Sequence, residues 1–166
     1  DEIAYVRYDL TNLGYFARNQ GDGVVVGVGG GRDVLSAKWF GLDTVHGVEL
    51  NPIFIDLLTR HPHYSQFNQV SQLPGVQLTA DEARSWLARQ DASYDVIQIS
   101  MIDTWASTAA GAFTLSENGL YTIEGWDLFL DRLKQDGILT VSRWYAPGEV
   151  NETGRLISLA AASLLE

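Results

Sequence analysis

The stretch VVVGVGGGRDVLSAKWFGLDTVHGVEL, residues 24–50, decides the fold of this chain. A valine-rich apolar run meets four glycines within five residues, and a helical pattern and a second apolar run follow. Glycines directly after a strand let the backbone approach a ligand closely, because a Cβ atom would collide with it. The helix that follows points free N–H groups at the same ligand. The stretch is therefore typical of a βαβ unit that binds a nucleotide.

Strands and helices are predicted to alternate along the chain. The apolar runs are short and contain β-branched residues, as buried parallel strands do. Predicted strands are residues 24–28, 44–50, 76–80, 95–99 and 137–143, and predicted helices are residues 33–40, 52–60, 81–90, 124–135 and 152–165. Because crossovers between parallel strands are right-handed, we predict an α/β fold of the Rossmann-like, doubly wound type. Its mainly parallel sheet has the order 3-2-1-4-5, with helices on both faces.

The ligand is expected at the carboxyl ends of the first and fourth strands, where the strand order reverses. Residues 1–22 are predicted to contain a helix that packs over this cleft, and residues 101–122 form a long connection after the fourth strand. Long loops at the ligand end of a sheet tend to carry function. We expect residues 1–166 to form one domain. Because the chain ends inside a predicted helix, we also expect it to be part of a longer protein.

The composition argues against several classes of function. A net charge of −10 does not supply the basic surface that a nucleic-acid partner needs, whereas a cationic small molecule would be attracted. The chain has no cysteine, which excludes disulfides, thiolate metal sites and a cysteine nucleophile. No apolar run approaches the roughly 18 residues of a membrane span. His46, His61 and His63 form no ligand pattern, so we expect no metal site.

Glu49 stands at the end of the second strand, 20 residues beyond Gly29. A carboxylate at this place can accept hydrogen bonds from the ribose hydroxyls of an adenosine. NAD fits imperfectly, because the third glycine of the dinucleotide fingerprint is replaced by Arg32 in one register and by Val34 in the other. A P-loop is excluded, since no Gly-Lys-Ser or Gly-Lys-Thr follows the glycines. The alternative is a single adenosine that carries a sulfonium tail.

Further motifs extend the pattern over roughly residues 23–143, namely GVGGGRDVL, GVELNP, ADEARSWL, YDVIQIS and LYTIEGWDLFLDRLKQDGILTVS. With these motifs the chain resembles the class I S-adenosylmethionine-dependent methyltransferase superfamily, and within it the spermidine synthase-like (polyamine aminopropyltransferase-like) branch. GVELNP is informative, because an acid ends the strand and Asn-Pro opens a helix. The resemblance implies S-adenosylmethionine or its decarboxylated form as cofactor, with methylthioadenosine as the product of aminopropyl transfer.

The resemblance also assigns roles to residues. Glu49 would bind the ribose hydroxyls, and the acid-small pair Glu82-Ala83, with Asp81 beside it, would bind the adenine amino group. Asp81 and Glu82 equally suit the positive end of a helix that binds no ligand. The complete predicted cofactor site consists of Gly27, Gly29, Gly30, Gly31, Asp33, Glu49, Leu50, Asp81, Glu82, Ala83, Ser100 and Met101.

The segment after the fourth strand departs from the family. Aminopropyltransferases usually carry Asp-x-x-Asp there, and the first Asp helps to deprotonate the attacking amine. Here Ser100 replaces the first carboxylate and Asp103 keeps the second. Serine cannot act as a general base at neutral pH without an activator, but Asp103 can orient a cation. We take Asp103 and Ser100 as the candidate catalytic residues.

The glycine loop departs as well. The family keeps an acid for the donor's ammonium group where this chain has Gly31 or Arg32, and methyltransferases keep theirs where it has Gly27. Asp33 could substitute for that acid, although it also suits the first turn of a helix. Arg32 could meet the carboxylate of intact S-adenosylmethionine.

An amine acceptor would need aromatic walls and carboxylates, which bind cations through cation–π and ionic contacts. Residues of both kinds occur in the long connection and in the N-terminal segment. The predicted acceptor site consists of Asp103, Trp105, Glu117 and Tyr15.

Three hypotheses of function follow. The first is an aminopropyltransferase-like enzyme that acts on a small-molecule amine, and the second is a methyltransferase that uses the same adenosine site. The third is a non-catalytic nucleotide-binding module of a larger membrane protein, which the missing acid at Ser100 favours over a literal spermidine synthase. An NAD-linked oxidoreductase is less favoured. We expect a cytoplasmic location, alone or as the cytoplasmic domain of a membrane protein, and a homodimer is compatible with the resemblance.

Overall fold

The computed structural model of the chain describes residues 3–102, 119–145, 148 and 151–165. The strands in these ranges form one sheet, in which every neighbouring pair is parallel and the order is β3-β2-β1-β4-β5. The strands are β1 (Asp22–Val26), β2 (Thr44–Glu49), β3 (Val76–Ala80), β4 (Tyr94–Ser100) and β5 (Leu133–Ser142). The predicted fold class and strand order are therefore confirmed.

Helices cover both faces of this sheet. In chain order they are α1 (Leu13–Ala17), α2 (Arg32–Phe40), α3 (Pro52–Thr59), α4 (Pro62–Asn68), α5 (Ala83–Ala88), α6 (Ile123–Asp131) and α7 (Asn151–Leu165), with short 3-10 turns at Ala4–Tyr8, Leu10–Asn12 and Val70–Gln72. No helix among the described residues has both the length and the apolar character that crossing a membrane requires.

Side-chain caps set several of the helix boundaries. The Asn51 side chain accepts a hydrogen bond from the Ile53 N–H, and Pro52 occupies the first turn of α3, where its missing N–H costs nothing. The Glu82 carboxylate caps α5, so this helix begins two residues later than predicted. The helix α6 ends at Asp131 rather than at residue 135. The chain enters β5 at once, through an irregular pairing with the start of β4.

Successive side chains of a strand point to opposite faces of the sheet. The side chains of the inner strands therefore contribute to two apolar layers, one on each face. The layer beneath α5 and α6 contains Val24, Val26, Val48, Trp86, Ile97, Ile99, Trp126 and Phe129. The opposite layer contains Tyr15, Val25, Val34, Ala37, Leu42, Val45, Leu58 and Val96. Every residue of β4 is buried, so the centre of the sheet is enclosed on both sides and its carboxyl edge is rigidly placed.

The N-terminal segment corrects one of the predictions. Instead of one continuous helix, two 3-10 turns precede the short α1. Tyr15 is only 1% exposed, and its hydroxyl donates to Gln98 Oε1 on β4. Gln98 in turn donates to the Thr11 carbonyl at 3.1 Å. The predicted role of Tyr15 as a wall of the acceptor site is wrong, because its side chain belongs to the core.

A buried carboxylate fastens the amino end of the sheet. Asp95 is 2% exposed and accepts hydrogen bonds from Arg18 Nε at 3.0 Å, Lys134 Nζ at 2.7 Å and the Asp22 N–H at 2.8 Å. Burial alone would raise the pKa of Asp95, but these donors outweigh it and hold the pKa at about 2. The N-terminal segment, β1, β4 and β5 are therefore joined through one side chain.

The substitution Asp95→Asn is expected to lower the free energy of unfolding by about 1–3 kcal/mol at pH 7, since it weakens hydrogen bonds to charged groups. The pKa in the folded protein lies below the ordinary 3.8. The stabilisation is thus present above about pH 4 and is lost as the pH falls towards 2. Urea unfolding of both proteins from pH 7 to pH 3 measures the difference. The exposed Asp91 provides the control, Asp91→Asn, and a difference that does not shrink with pH would contradict the assignment.

Candidate functional site

The glycine loop connects β1 to α2 at the carboxyl edge of the sheet. Gly27, Gly29 and Gly31 all have positive φ angles, of 79°, 48° and 89°, which glycine adopts far more readily than other residues. The Gly27 N–H donates to the Val48 carbonyl at 2.8 Å, so the loop starts firmly attached to β2. A Cβ atom at Gly29 would meet nothing within 4 Å. The middle of the loop therefore presents bare backbone to open space.

A groove of about 300 Å³ lies against this loop. It is lined by several of the residues predicted to hold a cofactor, namely Gly27, Gly29, Gly30, Asp33, Ser100 and Met101. These residues come from the end of β1, the start of α2 and the end of β4. The groove is therefore at the predicted place, where the strand order reverses between β1 and β4.

Glu49 links the glycine loop to the next turn. Its Oε2 accepts the Gly29 N–H at 2.9 Å, and its Oε1 accepts the Asn51 N–H at 2.8 Å. An ionised carboxylate offers about four acceptor positions, so each oxygen keeps capacity for a further donor. Glu49 is 9% exposed. It is not among the described residues that line the groove, and it adjoins the groove through its contact with Gly29.

Asp33 supplies a buried carboxylate to the groove, and Arg32 partly neutralises it. Asp33 Oδ1 accepts from Arg32 Nε at 3.0 Å and from Arg32 Nη2 at 2.9 Å. Burial raises the pKa of Asp33 above its ordinary value, while the Arg32 guanidinium acts in the opposite direction. Arg32 also donates from Nη1 to Asp9 Oδ2 at 2.9 Å. The groove therefore presents a positive and a negative group side by side.

The end of β4 shows two signs of a binding surface. Ser100 Oγ is buried and has no hydrogen-bond partner of normal geometry among the described residues, and such buried orphan groups are uncommon. Met101, the next residue, has a φ of 47°, in the left-handed region that residues other than glycine rarely adopt. Strain of this kind concentrates at functional sites, and both residues line the groove.

The predicted adenine-binding residues stand at the neighbouring strand end. The Asp81 N–H donates to the Glu49 carbonyl at 3.0 Å, and the Asp81 carboxylate pairs with Arg89. Glu82 accepts the Arg84 and Ser85 N–H groups at 2.9 and 2.8 Å, which shows its role as a helix cap. Whether these acids also bind adenine stays a prediction. The Ala83 side chain packs in the core.

Leu50 lies beside Glu49 on the outer surface. It is 57% exposed. It offers an apolar surface that could cover one face of a base.

Two parts of the site were missed by sequence reasoning. Asn68 of α4 donates to the Gly30 carbonyl at 2.8 Å, and the Tyr64 hydroxyl lies 4.0 Å from the Cβ position of Gly30. The Pro62 that opens α4 was a usable signal, because proline is favoured in a first turn. Trp144, after β5, lines the groove, and no local pattern could have revealed this long-range contact.

Some predicted residues lie outside the described residues, namely Asp103, Trp105 and Glu117. Their predicted roles in acceptor binding and catalysis stay predictions. His46 packs beside the Trp86 and Tyr94 rings, and burial lowers its pKa, in keeping with a structural role. Within the described ranges, His, Asp and Glu side chains form no group of three or more that could hold a metal ion.

Substitutions at two adjacent glycines are expected to differ sharply in their effect on stability. Gly31→Ala should lower the free energy of unfolding by about 2–4 kcal/mol, because alanine is strained at positive φ and overfills a packed site. Its Cβ would stand 2.9 Å from Val70 Cγ1. Gly30→Ala should change stability by less than about 0.5 kcal/mol, because its Cβ would meet nothing closer than 4.0 Å. Urea unfolding measures both, and equal losses would contradict the described packing.

No protein-family model matches the chain, and no curated protein matches it. Solved structures are similar to it over nearly the whole chain. Spermidine synthase from Thermotoga maritima aligns with 98% of the chain at a TM-score of 0.70 and 16% identity. A spermidine synthase in complex with the transition-state analogue AdoDATO aligns with 98% at 0.69 and 14%. The chain spans only about half the length of these structures, 52% and 51%.

Methyltransferases are similar as well. Human methyltransferase-like protein 13 in complex with SAH aligns with 95% of the chain, and with 72% of its own length, at a TM-score of 0.65 and 16% identity. The parallel 3-2-1-4-5 sheet is therefore the Rossmann-like fold of the spermidine synthases and the methyltransferase to which the chain is similar.

Proposed function

We propose that the groove binds an adenosyl sulfonium compound, S-adenosylmethionine or its decarboxylated form, and that the chain is a transferase domain acting on a small-molecule amine. The observation that carries this proposal is the position of Glu49. Its carboxylate joins the open glycine loop to the turn after β2 and keeps acceptor capacity on both oxygens. Two vicinal ribose hydroxyls are donors that suit such a carboxylate.

The residues around Glu49 fit the rest of an adenosyl sulfonium ligand. Exposed Leu50 offers an apolar face to a base. The bare backbone at Gly29 gives room for the ribose and the sulfur. Asp33, whose carboxylate is buried in the groove wall, attracts the positive charges of the tail. Similar structures were determined with AdoDATO and with SAH, which supports a ligand of this class.

A sulfonium ligand would supply an alkyl carbon bonded to positively charged sulfur. The lone pair of the amine would bond to that carbon as the carbon–sulfur bond breaks, the sulfur would leave as a neutral thioether, and the ammonium product would lose its proton to water. The contribution of this chain is then to hold donor and acceptor in line, and positioning of this kind can supply much of the rate enhancement. We propose Asp103 as the carboxylate that orients the amine, with Trp105 and Glu117 beside it. Ser100 can donate a hydrogen bond at the reacting end but does not replace a general base.

The geometry leaves two candidate reactions. Aminopropyl transfer from the decarboxylated donor follows from the likeness to the spermidine synthases, although Ser100 lacks the carboxylate that such chemistry uses. Methyl transfer from intact S-adenosylmethionine is favoured by one specific observation, the Arg32 guanidinium next to Asp33 in the groove. A module that binds the nucleotide without catalysing transfer would bind the same ligands with no turnover.

Calorimetric titration with 5′-methylthioadenosine tests the adenosine site apart from the tail. The substitution Glu49→Gln should weaken binding at least about tenfold, since it replaces a charged acceptor by an amide. The new amide N–H₂ would also face the N–H groups of Gly29 and Asn51, so the loop itself should loosen.

The matched control is Asp43→Asn. Asp43 Oδ2 accepts the Gly21 N–H at 3.0 Å, which is the same kind of contact at the opposite edge of the sheet. This variant should keep the affinity of the wild type within twofold. Equal affinities of the wild type and Glu49→Gln would remove Glu49 from the site, and binding of NAD but not of 5′-methylthioadenosine would overturn the proposed function.

A further inference from the structure

Arg32 and Asp33 form an ion pair in the wall of the groove. The Arg32 side chain is 45% exposed, whereas that of Asp33 is 7% exposed. Both Arg32 contacts use Asp33 Oδ1, so Oδ2 accepts nothing from the guanidinium. The Asp33 carboxylate thus keeps one oxygen clear of Arg32, while the outer nitrogens of the guanidinium contact Asp9 Oδ2 and Thr11 Oγ1.

The contact between Arg32 and Asp9 is the one that is easily exchanged. Its Nη1 donates to Asp9 Oδ2 at 2.9 Å, and the Asp9 side chain is 29% exposed. Ion pairs at this level of exposure contribute little to stability. The Asp9 contact also shows the distance at which a carboxylate meets this edge of the guanidinium. A carboxylate from a ligand could take the same place at little cost.

We infer that the Arg32–Asp33 pair recognises a zwitterionic α-amino-acid group, and that the groove therefore selects intact S-adenosylmethionine over its decarboxylated form. The ligand's ammonium group meets the Asp33 carboxylate, and its carboxylate meets the Arg32 guanidinium. Guanidinium–carboxylate contacts are among the stronger hydrogen bonds in proteins. This inference rests on the proposed function, because the amino acid enters as the tail of an adenosyl sulfonium compound.

Charge explains why a lone ammonium group fits less well. The Arg32 guanidinium, whose nitrogens lie 2.9 and 3.0 Å from Asp33 Oδ1, already offsets part of the Asp33 charge. A decarboxylated tail would bring an ammonium group to this pair without a partner for Arg32, and like charges repel. Ser100 Oγ, which is buried and has no hydrogen-bond partner among the described residues, provides a further neutral acceptor for the ammonium group of either donor, so it does not discriminate between them.

The experiment compares three ligands by calorimetry. S-adenosylmethionine and decarboxylated S-adenosylmethionine differ only in the carboxylate, and 5′-methylthioadenosine lacks the amino-acid tail. The wild type is expected to bind the intact compound at least about tenfold more tightly than the decarboxylated one, as expected for one charge-assisted contact. This comparison requires no substitution, so it does not depend on the folding of a variant.

Variants then locate the preference. Arg32→Gln should weaken binding of S-adenosylmethionine about tenfold and leave binding of the decarboxylated compound unchanged or tighter. Asp33→Asn should weaken both, and 5′-methylthioadenosine should bind every variant within twofold of the wild type. The control is Arg60→Gln, because Arg60 is an exposed arginine paired with Asp56 and should leave all three affinities unchanged.

The outcomes separate the two proposals. If 5′-methylthioadenosine does not bind the wild type, the adenosine site itself is refuted and the tail recognition falls with it. If it binds, but the decarboxylated compound binds as tightly as S-adenosylmethionine, or Arg32→Gln weakens both donors equally, the role of Arg32 is refuted and the adenosine site stands.

Discussion

The two hydrogen bonds that Glu49 accepts from Gly29 and Asn51 organise the carboxyl edge of this protein. They tie the glycine loop, the end of β2 and the start of α3 to one side chain. Without that tie, a loop with three positive φ angles would have many conformations to lose on folding. The groove exists because the loop is held in one of them. Glu49 holds the loop in this conformation and can still accept hydrogen bonds from a ligand. Because the site is formed before the ligand binds, less conformational entropy is lost on binding.

The fold could be predicted from sequence because its signals are local and repeated. The inner strands of a parallel sheet are buried on both faces, so β1 contains a run of three valines and β4 contains Val96, Ile97 and Ile99. Boundaries were less accurate where side chains or long-range pairing decide them. Glu82 shortens α5 by capping it, and β5 extends back to Leu133 through an irregular pairing with Tyr94. Neither effect can be recognised from the spacing of apolar residues along the sequence.

The site was predictable only in part. The glycines, Glu49, Asp33 and Ser100 follow strands of a recognisable unit, and the topology brings their strand ends to one edge. The Asp9–Arg32 contact joins residues 23 positions apart, and Trp144 reaches the groove from the far end of the chain, so neither is visible in a local pattern. Tyr15 was misassigned because aromatic residues suit both a cation site and a core. The hydrogen bond from its hydroxyl to Gln98, a polar residue within a buried strand, shows that the Tyr15 side chain belongs to the core.

The central claim is that an adenosine group binds against the Glu49–Gly29 contact, and amide chemical shifts on titration with 5′-methylthioadenosine test it most directly. The amides of Gly29, Gly30 and Leu50 should shift with one common saturation curve, because they surround the proposed ribose and base. Gly21 precedes β1 and Gly137 lies in the first half of β5, both at the other edge of the sheet. The chemical shifts of their amides should not change. Shifts confined to that other edge, or a glycine loop that responds to NAD alone, would contradict the account.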